Sequence, residues 1–164
     1  HGHPHARGRP LRGLTMAHHD FTTPVTEAQA RSLRIGDTVT LEGTLFGIRD
    51  RTQIEMFDRG RATRFDLRGH AVIHTAPNVR KVERSERFPA GYEPICVGTT
   101  TSARMERFTR PLMQRLGVRL VIGKGGLQEA SQAAFAELGG AVEQVLDFEG
   151  EEAVKEDGSD LPMV

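Results

Sequence analysis

The stretch VRLVIGKGGLQEASQAAFAELGG, residues 118–140, reads in one pass as strand, turn, helix and cap. VRLVIG is short, apolar and rich in β-branched residues, as a buried strand requires. KGGL is a turn. QEASQAAFAEL is a helix, and Gly139-Gly140 is its C-terminal cap. AVEQVLDF, residues 141–148, follows as a last strand.

Moving upstream, Met105, Phe108, Leu112 and Leu116 recur at spacings of three and four, which gives a helical stripe. Pro111 is expected to break it into two pieces. Further back lies a block of strands. In DTVTLEGTLFGIRD, residues 37–50, Val39 and Leu41 alternate with Thr38, Thr40 and Glu42, so the segment reads as one strand, with Gly43 and Gly47 marking a bulge or a close backbone approach. GHAVIHTAP, ended by Pro77, and YEPICVG are two more strands. The polar NVRKVERSERFPAG between them reads as a loop. TPVTEAQARSLRIGD is a short helix starting at Thr26, carrying Ala28, Ala30 and Leu33 and stopped at Gly36. Strands come first and then alternate with helices, so the expected fold class is α/β with a partly parallel sheet.

The 164 residues suit a single domain with a real core. Residues 1–20 contain five of the seven histidines and no apolar periodicity, and read as a disordered tail; the domain is expected over 21–164. Lys+Arg and Asp+Glu both number 22, so a general polyanion-binding surface, and with it nucleic acid as a partner, is not expected. No window approaches the ~18 apolar residues of a membrane span. No apolar signal sequence opens the chain, and a cytoplasmic setting is expected. Cys96 is the single cysteine, so no internal disulfide forms, and one thiolate holds neither an iron–sulfur cluster nor a structural zinc; no metal site is expected in this chain. Nearly all the basic residues are arginine, the exceptions being Lys81, Lys124 and Lys155. Arginine's planar fork matches carboxylate geometry, although drift in composition explains the bias equally well.

Three segments carry candidate chemistry. GTTTSARMERF, residues 98–108, places Thr99, Thr100, Thr101 and Ser102 between a strand and a helix. Thr101 or Ser102 can cap the helix. The other hydroxyls and Arg104 can then meet a carboxylate at a positive helix end. The plain alternative is a run of β-formers followed by a cap. VIGKGG, residues 121–126, puts Lys124 at the end of a buried strand, where open α/β sheets bind ligands, with Gly123 and Gly125 allowing close approach. A simple glycine turn with a solvated lysine fits the same residues. GIRDRTQ, residues 47–53, sets Arg49 beside Asp50, which either aims the guanidinium or is a surface ion pair. If Arg49, Thr100, Arg104 and Lys124 converge, three cations and a hydroxyl suit a substrate with two carboxylates.

GDTVTLEGTLFGIRD, GTTTSARM and VIGKGG, in this order, resemble the C-terminal (beta) part of iron–sulfur class I fumarate hydratases and the related L(+)-tartrate dehydratase beta subunits, over roughly Ile35 to Gly140. The resemblance implies a swivelling three-layer β/β/α domain. It implies reversible addition of water across a carbon–carbon double bond, fumarate to malate in the first reading. L(+)-tartrate or another hydroxy-dicarboxylate is the near alternative, and a non-catalytic anion-binding domain of the same fold the more distant one. A [4Fe-4S] cluster held by three cysteines of an alpha subunit would be the Lewis acid, so this chain would need that subunit as partner. The family's motifs place the catalytic base at Thr100 and the carboxylate ligands at Arg104, Arg49 and Lys124, with Asp50, Thr101, Gly123 and Gly125 in support. A hydroxyl among cations is easier to deprotonate, which gives that cluster a physical reason. The chain departs from the family at Thr99, where proline is usual, at Ala103, where glycine is usual, and near Gln53, where a histidine is usual. TAPNVRK replaces a glycine-proline turn, and nothing recognisable follows Gly140.

Overall fold

The computed structural model describes residues 16–75, 78–89, 91–96 and 98–144. Among these residues eight strands run in chain order: β1 His18–Thr22, β2 Thr38–Glu42, β3 Leu45–Ile48, β4 Ala71–His74, β5 Asn78–Lys81, β6 Tyr92–Cys96, β7 Leu120–Gly123 and β8 Ala141–Gln144. The α-helices are α1 Glu27–Ser32, α2 Asp50–Gln53, α3 Thr109–Leu116 and α4 Glu129–Leu138. A π-helix over Ile54–Asp58 follows α2, and a 3-10 helix over Ser102–Phe108 precedes α3.

The central sheet has the order β3-β4-β7-β8, and every neighbouring pair is parallel. Period-two alternation assigns its two faces. Ile48, Val72 and Val121 point to one side, where they pack with Leu112, Met113, Ala134 and Phe135 of α3 and α4. Ala71, Leu120, Leu45 and Ile122 point to the other, against Phe21, Val39 and Leu41 of the parallel β1–β2 pair. Helices, central sheet and small sheet thus form three layers. Burying each large aliphatic side chain in these interfaces stabilises the fold by about 1.5–3 kcal/mol.

α1 starts as its sequence directs. Thr26 Oγ1 accepts the Gln29 N–H at 3.2 Å, and Gln29 Oε1 accepts the Thr26 N–H at 2.9 Å, a reciprocal capping box. α4 ends at Gly139 with φ 72°.

Three expectations are corrected. Residues 37–50 form two strands in different sheets, because Gly43 turns the chain at φ 101° and a Cβ there would stand 2.5 Å from Thr23 Oγ1. The polar segment after Pro77 contains β5, antiparallel to β6, with Arg80 paired to Glu93 across it. The tail's last residues are structured: His18, His19 and Asp20 pair with Thr38, Val39 and Thr40. The Met105–Leu116 stripe divides into two pieces as expected, the junction falling two residues before Pro111, at Phe108/Thr109. A continuous α-helix would need the N–H that Pro111 lacks. The chain instead winds as 3-10 to Phe108 and restarts, placing Pro111 in the first turn, where no N–H is required. Residues 1–15, Pro77 and 145–148 lie outside the described residues.

Candidate functional site

Because β3, β4 and β7 are parallel, the segments leaving them emerge at one edge of the sheet. Arg49 follows β3, Thr75 follows β4 and Lys124 follows β7. The threonine run is stitched across this edge. Thr99 bridges to Thr75, and Thr101 bridges to Lys124. The Thr100 N–H donates to the His74 carbonyl at 2.8 Å, and Thr75 Oγ1 donates to the Gly98 carbonyl at 2.6 Å. Thr100 is thereby held between β4 and β7.

One turn on, Arg104 Nη2 donates to Thr100 Oγ1 at 3.3 Å. Arg104 Nε lies 3.4 Å from Asp50 Oδ2, and Arg49 Nε lies 3.9 Å from Asp50 Oδ1. Asp50 also accepts the Arg51 N–H at 3.0 Å. Close polar contacts therefore run from Thr100 through Arg104 to Asp50, with Arg49 a looser neighbour whose Nε is buried and lacks a hydrogen-bond partner among the described residues. Lys124 is exposed beside Thr101 and makes no ion pair among the described residues.

The surroundings differ from the sequence reading in three ways. The turn after the hydroxyls is 3-10, and the α-helix begins only at Thr109, so no α-helical dipole end faces the threonines. Thr101 occupies the cap position without a side-chain cap bond, and the Ser102 hydroxyl turns inward to His74 Nδ1 at 2.9 Å. Gly123 leaves room for that hydroxyl rather than for a ligand: a Cβ there would stand 2.0 Å from Ser102 Oγ. Around Gly125, by contrast, a Cβ would meet nothing within 4 Å.

Sequence reasoning missed two residues. His74, at the end of a β-branched strand, gave no signal; it is 1% exposed, and burial lowers its pKa to about 4, so it is neutral. Glu106, within the 3-10 helix, caps another helix. Its carboxylate accepts the Gln128 N–H at 2.8 Å, the Ser131 N–H at 3.0 Å and the Ser131 hydroxyl at 2.7 Å. Burial works against its charge, but these hydrogen bonds prevail and hold the carboxyl below its ordinary pKa. Gln53 is fully buried, and both its amide atoms lack partners among the described residues.

Among the described residues no group of three His, Cys, Asp or Glu is placed to hold a metal ion, and Cys96 is exposed. No helix there is long and apolar enough to cross a membrane.

A family model described as Fumarase C-terminus matches residues 7–144. The L(+)-tartrate dehydratase subunit beta of Escherichia coli K12 is 39% identical over 107 residues, which cover 65% of this chain and 50% of that protein. A putative fumarate hydratase class I of Geobacillus stearothermophilus is 33% identical over 117 residues, 71% of this chain and 21% of that protein. A putative L(+)-tartrate dehydratase subunit beta of Methanocaldococcus jannaschii is 28% identical over 118 residues, 70% of this chain and 57% of that protein. The chain spans about half the length of the beta subunits it matches.

Proposed function

The chain belongs to the fumarase C-terminus family, and on that premise we propose that it is the beta half of a hydro-lyase that adds water to, or removes it from, a four-carbon dicarboxylate. The observation that carries this reading is the meeting of Arg49, Thr100, Arg104 and the Lys124 backbone at one edge of a parallel sheet, linked through Asp50 and the Thr101–Lys124 bridge.

Each side chain has a part. Arg104 and Arg49 present forks to the carboxylates. Lys124 adds a point charge from the facing loop. Thr100 takes the proton from the carbon next to a carboxylate. Its oxygen already accepts a hydrogen bond from a guanidinium, which favours the alkoxide it must become. The departing hydroxyl needs a separate acid. A [4Fe-4S] cluster does not fit this chain: one exposed cysteine and no cluster of donors among the described residues cannot hold it. An alpha subunit would carry it and close the site from the other side, in the cytoplasm.

Fumarate and malate are the first substrate pair. L(+)-tartrate is a second reading, supported by the likeness to subunits named for it. The test is co-expression with a cluster-bearing alpha subunit and a dehydration assay on malate and tartrate. Turnover by the complex, none by this chain alone, and its loss in Thr100→Ala support the proposal. An inactive complex that still binds dicarboxylates would leave a non-catalytic anion-binding domain.

A further inference from the structure

His74 touches the candidate site twice without facing it. Its carbonyl accepts the Thr100 N–H at 2.8 Å, and its Nδ1 lies 2.9 Å from Ser102 Oγ. That same oxygen accepts the Lys124 N–H at 3.3 Å. His74 and Ser102 are each 1% exposed, and Gly123 leaves open the space they use.

The hydrogen-bond inventory selects one tautomer. The Lys124 amide can only donate, so Ser102 Oγ accepts there. If His74 carried its proton on Nδ1, Ser102 Oγ would accept again. Its own buried O–H would then have no acceptor among the described residues, and His74 Nε2, which has no partner among them either, would also stay bare. With the proton on Nε2, the Ser102 hydroxyl donates to Nδ1 and only Nε2–H is left unpaired. Fewer buried groups are stranded in the second arrangement.

We infer that Ser102 and His74 are a positioning pair, in which neutral His74 accepts the Ser102 hydroxyl and so fixes the Thr100–Arg104 turn against Lys124 in the geometry that grips the two carboxylates. The inference rests on the dicarboxylate reading for its consequence and on the hydrogen bonds alone for its geometry. The pair touches no substrate. It sets the spacing between groups from β4, the threonine run and β7, which no residue within the run can set alone.

The test uses the full chain, with imidazole ¹⁵N NMR for the pair and succinate titration for its consequence. At neutral pH, His74 should show the Nε2–H tautomer. Ser102→Ala should shift its Nδ1 signal and the Lys124 amide and weaken succinate about tenfold. His74→Asn, whose amide reaches the Nδ1 position, should retain most of the affinity. His74→Gln, whose amide reaches toward Nε2, should lose about tenfold while staying folded. An Nδ1–H tautomer, Nδ1 signals indifferent to Ser102→Ala, or equal succinate affinity in the Asn and Gln variants would overturn the pair. A wild-type chain with the expected NMR signature but no succinate binding would instead overturn the dicarboxylate reading, and the positioning role with it.

Discussion

The Asp50 carboxylate stands 3.4 Å from Nε of Arg104, closer than the 3.9 Å that separates it from its sequence neighbour Arg49. An internal anion thus occupies the guanidinium that an incoming carboxylate would need. The pair is half exposed, so its attraction is modest, about 0–1 kcal/mol. Asp50→Asn should therefore tighten dicarboxylate binding, by roughly fivefold at low salt, with the gain shrinking as ionic strength rises. Titration with succinate at two salt concentrations measures this. Weaker binding at low salt would show that Asp50 aims Arg104 more than it competes for it.

Arg104→Lys keeps the charge and removes the fork. Hydrogen bonds to charged groups are worth about 1.5–3 kcal/mol, so kcat/KM of the proposed complex with an alpha subunit should fall by roughly 10- to 150-fold. Steady-state kinetics of the complex checks it, with circular dichroism to show that the chain is folded.

A Cβ on Gly123 would stand 2.0 Å from Ser102 Oγ, far inside contact distance. Gly123→Ala should cost about 1–3 kcal/mol through overpacking. Much of that cost should vanish when Ser102→Ala is already present. A denaturation double-mutant cycle reads the coupling. Additive effects would contradict the close approach of Gly123 to Ser102.

The start of α4 depends on a residue outside that helix. Glu106→Ala strips its cap from Gln128 and Ser131 and should cost about 1–3 kcal/mol in urea unfolding. Glu106 has a lowered pKa in the fold, so its contribution is present above the ordinary value of 4.5 and lost as pH falls through the folded value. Glu106→Gln should flatten stability in that most acidic range.

His74 supplies a second, higher window. Its pKa falls from 6.5 to about 4 on burial, so between those values the unfolded chain binds the extra proton. Stability is therefore full above pH 6.5 and declines on acidification toward 4, by up to about 1.4 kcal/mol per pH unit. Urea midpoints from pH 7.5 to 4.5 should show this slope, and His74→Asn should remove it.

Local patterns carried what local forces control. The helix start at Thr26, the buried run of β7 and the Gly139 cap each depend on residues within one turn or one strand, and each was legible in the chain. The motifs that leave β3 and β7 were legible too, because a parallel sheet sends both ends the same way, whereas the threonine run leaves β6 of another sheet and reaches them only through its contacts with His74, Thr75 and Lys124. Period-two alternation ran unbroken across Gly43, however, and only the packing of two sheets shows that the chain crosses between layers there. The hydroxyl run promised a capped α-helix. Its inward serine and the clamp from His74 come from contacts 22 and 28 residues apart in sequence. Periodicity determined the fold class, since it follows from backbone geometry and burial, while short motifs and the family resemblance supplied the candidate side chains. Which hydroxyl faces outward, which carboxylate caps which helix and which histidine stays neutral were settled by tertiary structure, because hydrogen bonds between distant residues exist only once the layers are packed.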